Sequence, residues 1–290
     1  MNAMLLAHRA ARLALFVATA SLSGVAIAPA FAGDASAWDE GLQSAVRLVA
    51  ARATGSGKAL VYRSGLEIKL NPGWKTYWRY PGDSGVPPVF DFSKSENVKS
   101  ATVLFPAPMK FDDGAGGHSI GYKAGVLLPI HVVPSDPGKP AVLRLKLDYA
   151  VCEKLCLPAD ANLELKVTGK ESTNDAAVGG AEALVPKPAS IGDSGALAIR
   201  AAHREAGGAK PKIVVEVAAP AGAAPLLYAE GPDAKWALPV PEPVAGAPAG
   251  QQRFAFELDG LPPGESGAGA TLRLTAVAGG KAVEALFRLD

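Results

Sequence analysis

Between residues 141 and 151 apolar side chains fall at every second position: Leu143, Leu145, Leu147 and Tyr149 alternate with Arg144, Lys146 and Asp148. Period two sends one set to a buried face and the other to water, which is the pattern of a half-buried β-strand. Comparable runs predict strands at Ser44–Ala51, Lys58–Leu70, Val98–Leu104, Val126–Val133, Ala141–Val151 and Leu163–Thr168. Turn-forming clusters separate them: Asn71-Pro72-Gly73, Pro81-Gly82-Asp83, Asp112-Asp113-Gly114 and Asp136-Pro137-Gly138. No long segment carries the helical period of 3.6, so residues 33–170 read as an antiparallel β-sandwich.

Residues 171–196 are small, polar and proline-rich, and predict a linker with one short helical turn. A second strand pattern follows at Lys212–Val217, Pro225–Glu230, Arg253–Leu258, Ala270–Val277 and Lys281–Leu289, with Gly279-Gly280 as a hairpin signal. Residues 197–290 are therefore expected to form a second, smaller β-sandwich. The overall expectation is an all-β chain. No catalytic constellation stands out in its second part, which reads as a structural or docking module.

The N-terminus changes the chemical setting. His8, Arg9 and Arg12 precede an apolar run from Leu13 to Ala28, and Ala30-Phe31-Ala32 is a small-x-small cleavage sequence. Residues 1–32 read as a secretory signal peptide. No other run approaches the roughly 18 residues needed to cross a bilayer, so the exported chain is expected to lack a membrane span. With 29 basic against 28 acidic side chains in all, it offers no electrostatic case for nucleic acid.

Export makes the two cysteines, Cys152 and Cys156 in DYAVCEKLCLPAD, the chemistry to explain. On one extended strand their Cα atoms would lie about 13 Å apart, at about 3.3 Å per residue. A disulfide needs roughly 4.4 to 6.8 Å. A bond therefore requires the strand to stop at Val151 and Glu153-Lys154-Leu155 to curl, and Pro158 keeps the second cysteine out of a central strand. Three uses remain open. A structural staple gains little here, since so small a loop is worth about 2 kcal/mol. Two thiolates suit Cu(I), with His118 and His131 as further ligands, in a metal-binding or adaptor protein. A redox pair needs one accessible sulfur and a resolving partner, with Lys154 favouring and Glu153 opposing thiolate character, and no cofactor.

The surrounding blocks bear on that choice. GWKTYWRYPGDSG at 73–85, FPAP at 105–108, IGYK at 120–123 and DYAVCEKLCLPAD at 148–160 occur in that order. Together, over about residues 41–168, they resemble the N-terminal periplasmic domain of the thiol:disulfide interchange protein DsbD and its ScsB-like relatives. The resemblance implies an immunoglobulin-like, periplasmic redox domain with protein-disulfide reductase-type chemistry. It implies that Cys156 forms the mixed disulfide and that Cys152 resolves it. It also implies a loop over the disulfide, matched here by Phe111–Ser119, which has Phe111 near its start and no aromatic residue at its tip. Family members continue into membrane helices and a thioredoxin-like domain. This sequence carries neither, so separate proteins are expected to donate and accept electrons: a thioredoxin-like or membrane reductase on one side, periplasmic disulfide-containing proteins on the other.

Around the pair, Glu153 and Lys154 are expected in solvent as tuning groups, and Tyr149 in the core or lining the thiol pocket. Phe111 and His118 are expected to border the pocket. Trp74, Tyr77, Trp78 and Tyr80 divide between core and a docking surface, and Asp83 serves a turn.

Overall fold

The computed structural model describes residues 33–113, 116–205 and 210–290, and the leader read at 1–32 lies outside them. In chain order the first strands are β1 (Asp39–Glu40), β2 (Ser44–Thr54), β3 (Val61–Leu70), β4 (Lys75–Gly82), β5 (Val89–Asp91) and β6 (Val98–Val103). They continue with β7 (Met109–Asp112), β8 (His118–Lys123), β9 (Gly125–Pro134), β10 (Ala141–Cys152) and β11 (Cys156–Val167). Two antiparallel sheets result, ordered β1-β2-β3-β9-β6 and β11-β10-β4-β8-β7, with β5 on β10. The alternating positions meet between them. Leu143, Leu145 and Leu147 pack with Leu48, Leu66, Ile120, Leu128, Ile130 and Trp78 in one core, while Lys146 and Asp148 face water. Each such aliphatic side chain contributes about 1.5 to 3 kcal/mol by leaving water.

The segment expected as a linker carries α1 (Asp175–Ala183) and the short strand β12 (Lys187–Pro188). Val178 of α1 is fully buried against Val49 and Ala51. Glu182 anchors the helix end, accepting from Arg63 Nε at 2.9 Å and lying 2.8 Å from His131 Nε2. Asp175 sits in the first turn, where its charge suits the helix dipole, and accepts from the Arg52 N–H at 2.6 Å.

The second strand set comprises β13 (Ala198–Glu205), β14 (Lys212–Ala218), β15 (Leu226–Glu230), β16 (Glu242–Val244), β17 (Gln251–Glu257), β18 (Thr271–Ala278) and β19 (Lys281–Arg288). It forms sheets ordered β12-β19-β18-β15 and β13-β14-β17-β16 around its own core of Ile213, Val215, Phe254, Leu272 and Leu274. β12 joins β19 in parallel; the other strand pairs among the described residues are antiparallel. Tyr228 and Val240 leave this second set and pack in the first core, with the Tyr228 and Trp78 ring centroids 5.6 Å apart. The fold is all-β, as the alternation implied.

Candidate functional site

β10 and β11 form a hairpin in continuous register from Ala141↔Val167 to Cys152↔Cys156. The expected stop at Val151 gives way to this geometry: β10 runs through Cys152, and β11 begins at Cys156. The two cysteines are the last facing pair before the loop Glu153–Leu155. Their Cα atoms lie 4.1 Å apart and their sulfurs are bonded. Pro158 fits because β11 is the edge of its sheet, where a missing N–H leaves no ladder bond unmade.

The two sulfurs live in different surroundings. Cys152 is 6% exposed and packs with Tyr77 and Ala150. Cys156 is exposed, as are Glu153, Lys154 and Leu155 in the loop, with Leu155 at 71%. An incoming group therefore meets Cys156 and not its partner.

Register explains what else faces the pair. Cys152 lies opposite Lys75 of β4, and Lys75 lies opposite Lys123 of β8. Cys152, Lys75 and Tyr77 share one face, because residues two apart on a strand point the same way. The Tyr77 hydroxyl reaches Cys156 Sγ at 3.1 Å. A disulfide sulfur carries no proton, so the phenol is the donor. Burial pushes the Tyr77 phenol above its usual value, which keeps the O–H available. Lys75 Nζ donates to Ser119 Oγ at 2.9 Å. Burial draws its ammonium down and Lys123 adds to this, while Asp113 opposes it. The Phe111 ring lies 5.5 Å from Lys75 Nζ and 4.9 Å from Lys123 Nζ, within cation–π reach.

Tyr149 lies elsewhere. Three residues from Cys152 on one strand, it has the opposite parity, so it turns into the core and its hydroxyl meets Ser44 Oγ at 2.7 Å. His118 opens β8, at the far end from Lys123, between Asp112 Oδ1 at 3.1 Å and Glu242 Oε1 at 3.2 Å. His131 is engaged by Glu182. No group of three or more His, Cys, Asp or Glu that could hold a metal occurs among the described residues. Tyr77 is the contact that sequence reasoning left as one member of an aromatic run. Its signal is the register that sets β4 beside the end of β10, which no linear spacing reveals. Asp83, expected to serve a turn, joins the end of β4 to the start of β8: its carboxylate accepts from the His118 N–H at 2.9 Å and its own N–H donates to the His118 carbonyl at 2.8 Å.

Residues 50–168 match the family model described as "Thiol:disulfide interchange protein DsbD, N-terminal". Among solved structures, the N-terminal periplasmic domain of ScsB from Proteus mirabilis superimposes with a TM-score of 0.67 at 22% identity. It covers 89% of this chain and 98% of its own. No curated protein matches the chain significantly. The resemblance carried by the four sequence blocks is thus met: residues 50–168 are similar to the N-terminal domain of DsbD-type thiol:disulfide interchange proteins, and the fold is that of the ScsB N-terminal periplasmic domain.

Proposed function

We propose that this chain is an exported, periplasmic thiol–disulfide interchange module that passes two electrons from a reductase to partner proteins through Cys152 and Cys156. In this reading 1–32 is the signal peptide, 33–170 the redox sandwich, 171–196 the connecting segment and 197–290 the second sandwich. The unequal exposure of the two sulfurs carries the proposal. A thiolate of the donor, a thioredoxin-like or membrane reductase, attacks Cys156 Sγ. The Cys152–Cys156 bond breaks, Cys152 leaves as thiolate and takes a proton, and a mixed disulfide joins Cys156 to the donor. The donor's second thiolate attacks its own mixed-disulfide sulfur and releases Cys156 as thiolate, so the donor ends oxidised and the pair reduced. Towards an acceptor the order reverses: Cys156 attacks the acceptor's disulfide, and Cys152 resolves the mixed disulfide, restoring the Cys152–Cys156 bond.

Tyr77 suits the charge that moves. A hydroxyl 3.1 Å from Cys156 Sγ stabilises the thiolate more than the neutral disulfide, since hydrogen bonds to charged groups are the stronger ones. Leu155 and Met109, both exposed, offer apolar contact to a docking protein.

Incubation of the reduced single-cysteine variants with an oxidised thioredoxin-like protein tests the assignment. Cys152→Ala accumulates the mixed disulfide through Cys156, and Cys156→Ala forms none. Equal trapping by the two variants refutes the roles given to the sulfurs.

A further inference from the structure

Among the described residues the second sandwich brings no cysteine or metal-binding cluster to the disulfide, yet it grips the strand that carries Tyr77. β4 pairs with β10 only at Thr76 and Lys75. It pairs with β8 at Lys75, Thr76 and Tyr77, and then its register breaks until Gly82. The stretch that follows Tyr77 is held by side chains. Trp78, fully buried, packs on Tyr228. Arg79 donates from Nε and Nη2 to Glu230, at 2.8 and 2.7 Å, and from Nη2 to Glu284. Glu284 in turn accepts from Arg273 at 2.7 Å. Side-chain exposures of 23% for Arg79, 13% for Glu230 and 19% for Glu284 place the cluster largely out of water, where a forked guanidinium–carboxylate pair fixes geometry as well as charge.

A second contact reaches Tyr77 from the same side. Gly85 lies against its ring so closely that a Cβ there would come within 2.5 Å of ring carbon Cε1. Gly85 and Pro87 also line a cleft of about 860 Å³ that Arg79, Glu230, Trp236 and Glu284 border.

We propose that Arg79, clasped by Glu230 and Glu284, is a positioning residue for the cysteine pair: through it the second sandwich holds β4 where Tyr77 reaches Cys156. The proposal rests on the redox reading above and assigns the second sandwich a part in it. Nothing in the sequence of that sandwich suggests chemistry, and none is needed. Its role is to fix a donor two residues along a strand.

The test uses the full chain, reduced, with iodoacetamide as the probe of Cys156. The pH profile of alkylation reports the thiolate directly and requires no partner protein, so it separates failure of this proposal from failure of the proposed function, which the trapping experiment reads. Tyr77→Phe raises the Cys156 pKa by about one unit, a tenfold smaller thiolate fraction below the pKa. The pair Glu230→Gln with Glu284→Gln shifts the profile the same way by a smaller amount. Added to Tyr77→Phe, it produces no further shift, because the path runs through that hydroxyl. Glu284→Gln alone, which leaves the Glu230 fork in place, is the milder variant should the double substitution unfold the chain. A lowered melting temperature with an unmoved profile, or a full additive shift on top of Tyr77→Phe, overturns the proposal and leaves the cluster a purely structural clasp.

Discussion

Two long hairpins, one in each sandwich, solve the same problem by different means. β18 and β19 turn through Gly279-Gly280, whose φ angles of 56° and 72° are those of a two-residue turn that matches the twist of its strands. β10 and β11 turn through Glu153-Lys154-Leu155, none of which adopts a left-handed φ, and the cysteines close the base of the loop. The glycine turn adds a local constraint to a register that Leu272, Leu274 and Ala276 of β18 also fix from the core. The cysteine hairpin takes its register from the core contacts of Leu143, Leu145 and Leu147 further down β10. What this teaches is that the disulfide lies where the fold needs it least. A bond that can be opened without losing the strand pairing beneath it is suited to being opened repeatedly.

The largest expected effect tests that core. Leu145→Ala removes a side chain 2% exposed and is expected to cost about 2 to 5 kcal/mol, read as a lower denaturant midpoint for the oxidised protein. Next comes the glycine turn. Gly280→Val forces a β-branched residue to φ 72° and is expected to cost about 1 to 3 kcal/mol. Lys154→Gly in the other hairpin should leave the midpoint nearly unchanged. Third, reducing the disulfide should cost about 2 kcal/mol or less, with cross-strand amide contacts from Ala141 to Val151 retained by NMR. Loss of those contacts on reduction would erase the distinction between the hairpins.

The smallest effect lies between the two hairpins, at the end of α1. Burial disfavours the Glu182 charge, but hydrogen bonds from Arg63 and His131 outweigh it and hold its pKa below the usual value. A carboxylate depressed in the folded state adds stability that is present above its unfolded pKa, about 4.3. That stability is lost as pH falls through the lower folded value. Denaturant midpoints between pH 6 and pH 3 should therefore fall less steeply for Glu182→Gln than for the parent chain.

Much of the fold was legible because its strands alternate. β10, β18 and the first half of β2 follow period two, while β3 and β9 were readable as aliphatic and β-branched runs bounded by turn residues. β4 escaped because Tyr77 and Trp78, adjacent in sequence, are both buried: one lies under the disulfide, the other in the core, and two buried faces erase the alternation. β13, rich in alanine, carries too little contrast to register as a strand. The first half of β11 was hidden by Pro158, which only an edge position permits. At the site, the cysteines and the exposed Glu153 and Lys154 were readable as a local pattern. Tyr149 drew attention by closeness in sequence, although parity sends it inward. Tyr77, 79 residues from Cys156, required the register of β4 on β10, which long-range sheet pairing alone supplies.

The burial of Cys152 beside an open Cys156 also bears on oxidative injury. When the reduced pair meets hydrogen peroxide, the outer sulfur is the one reached: its thiolate attacks one peroxide oxygen, the O–O bond breaks, the sulfur becomes a sulfenic acid and the other oxygen leaves as water. The hidden thiol then condenses with it, expelling water and regenerating the resting bond before a second oxidation can carry the sulfur to the irreversible acids.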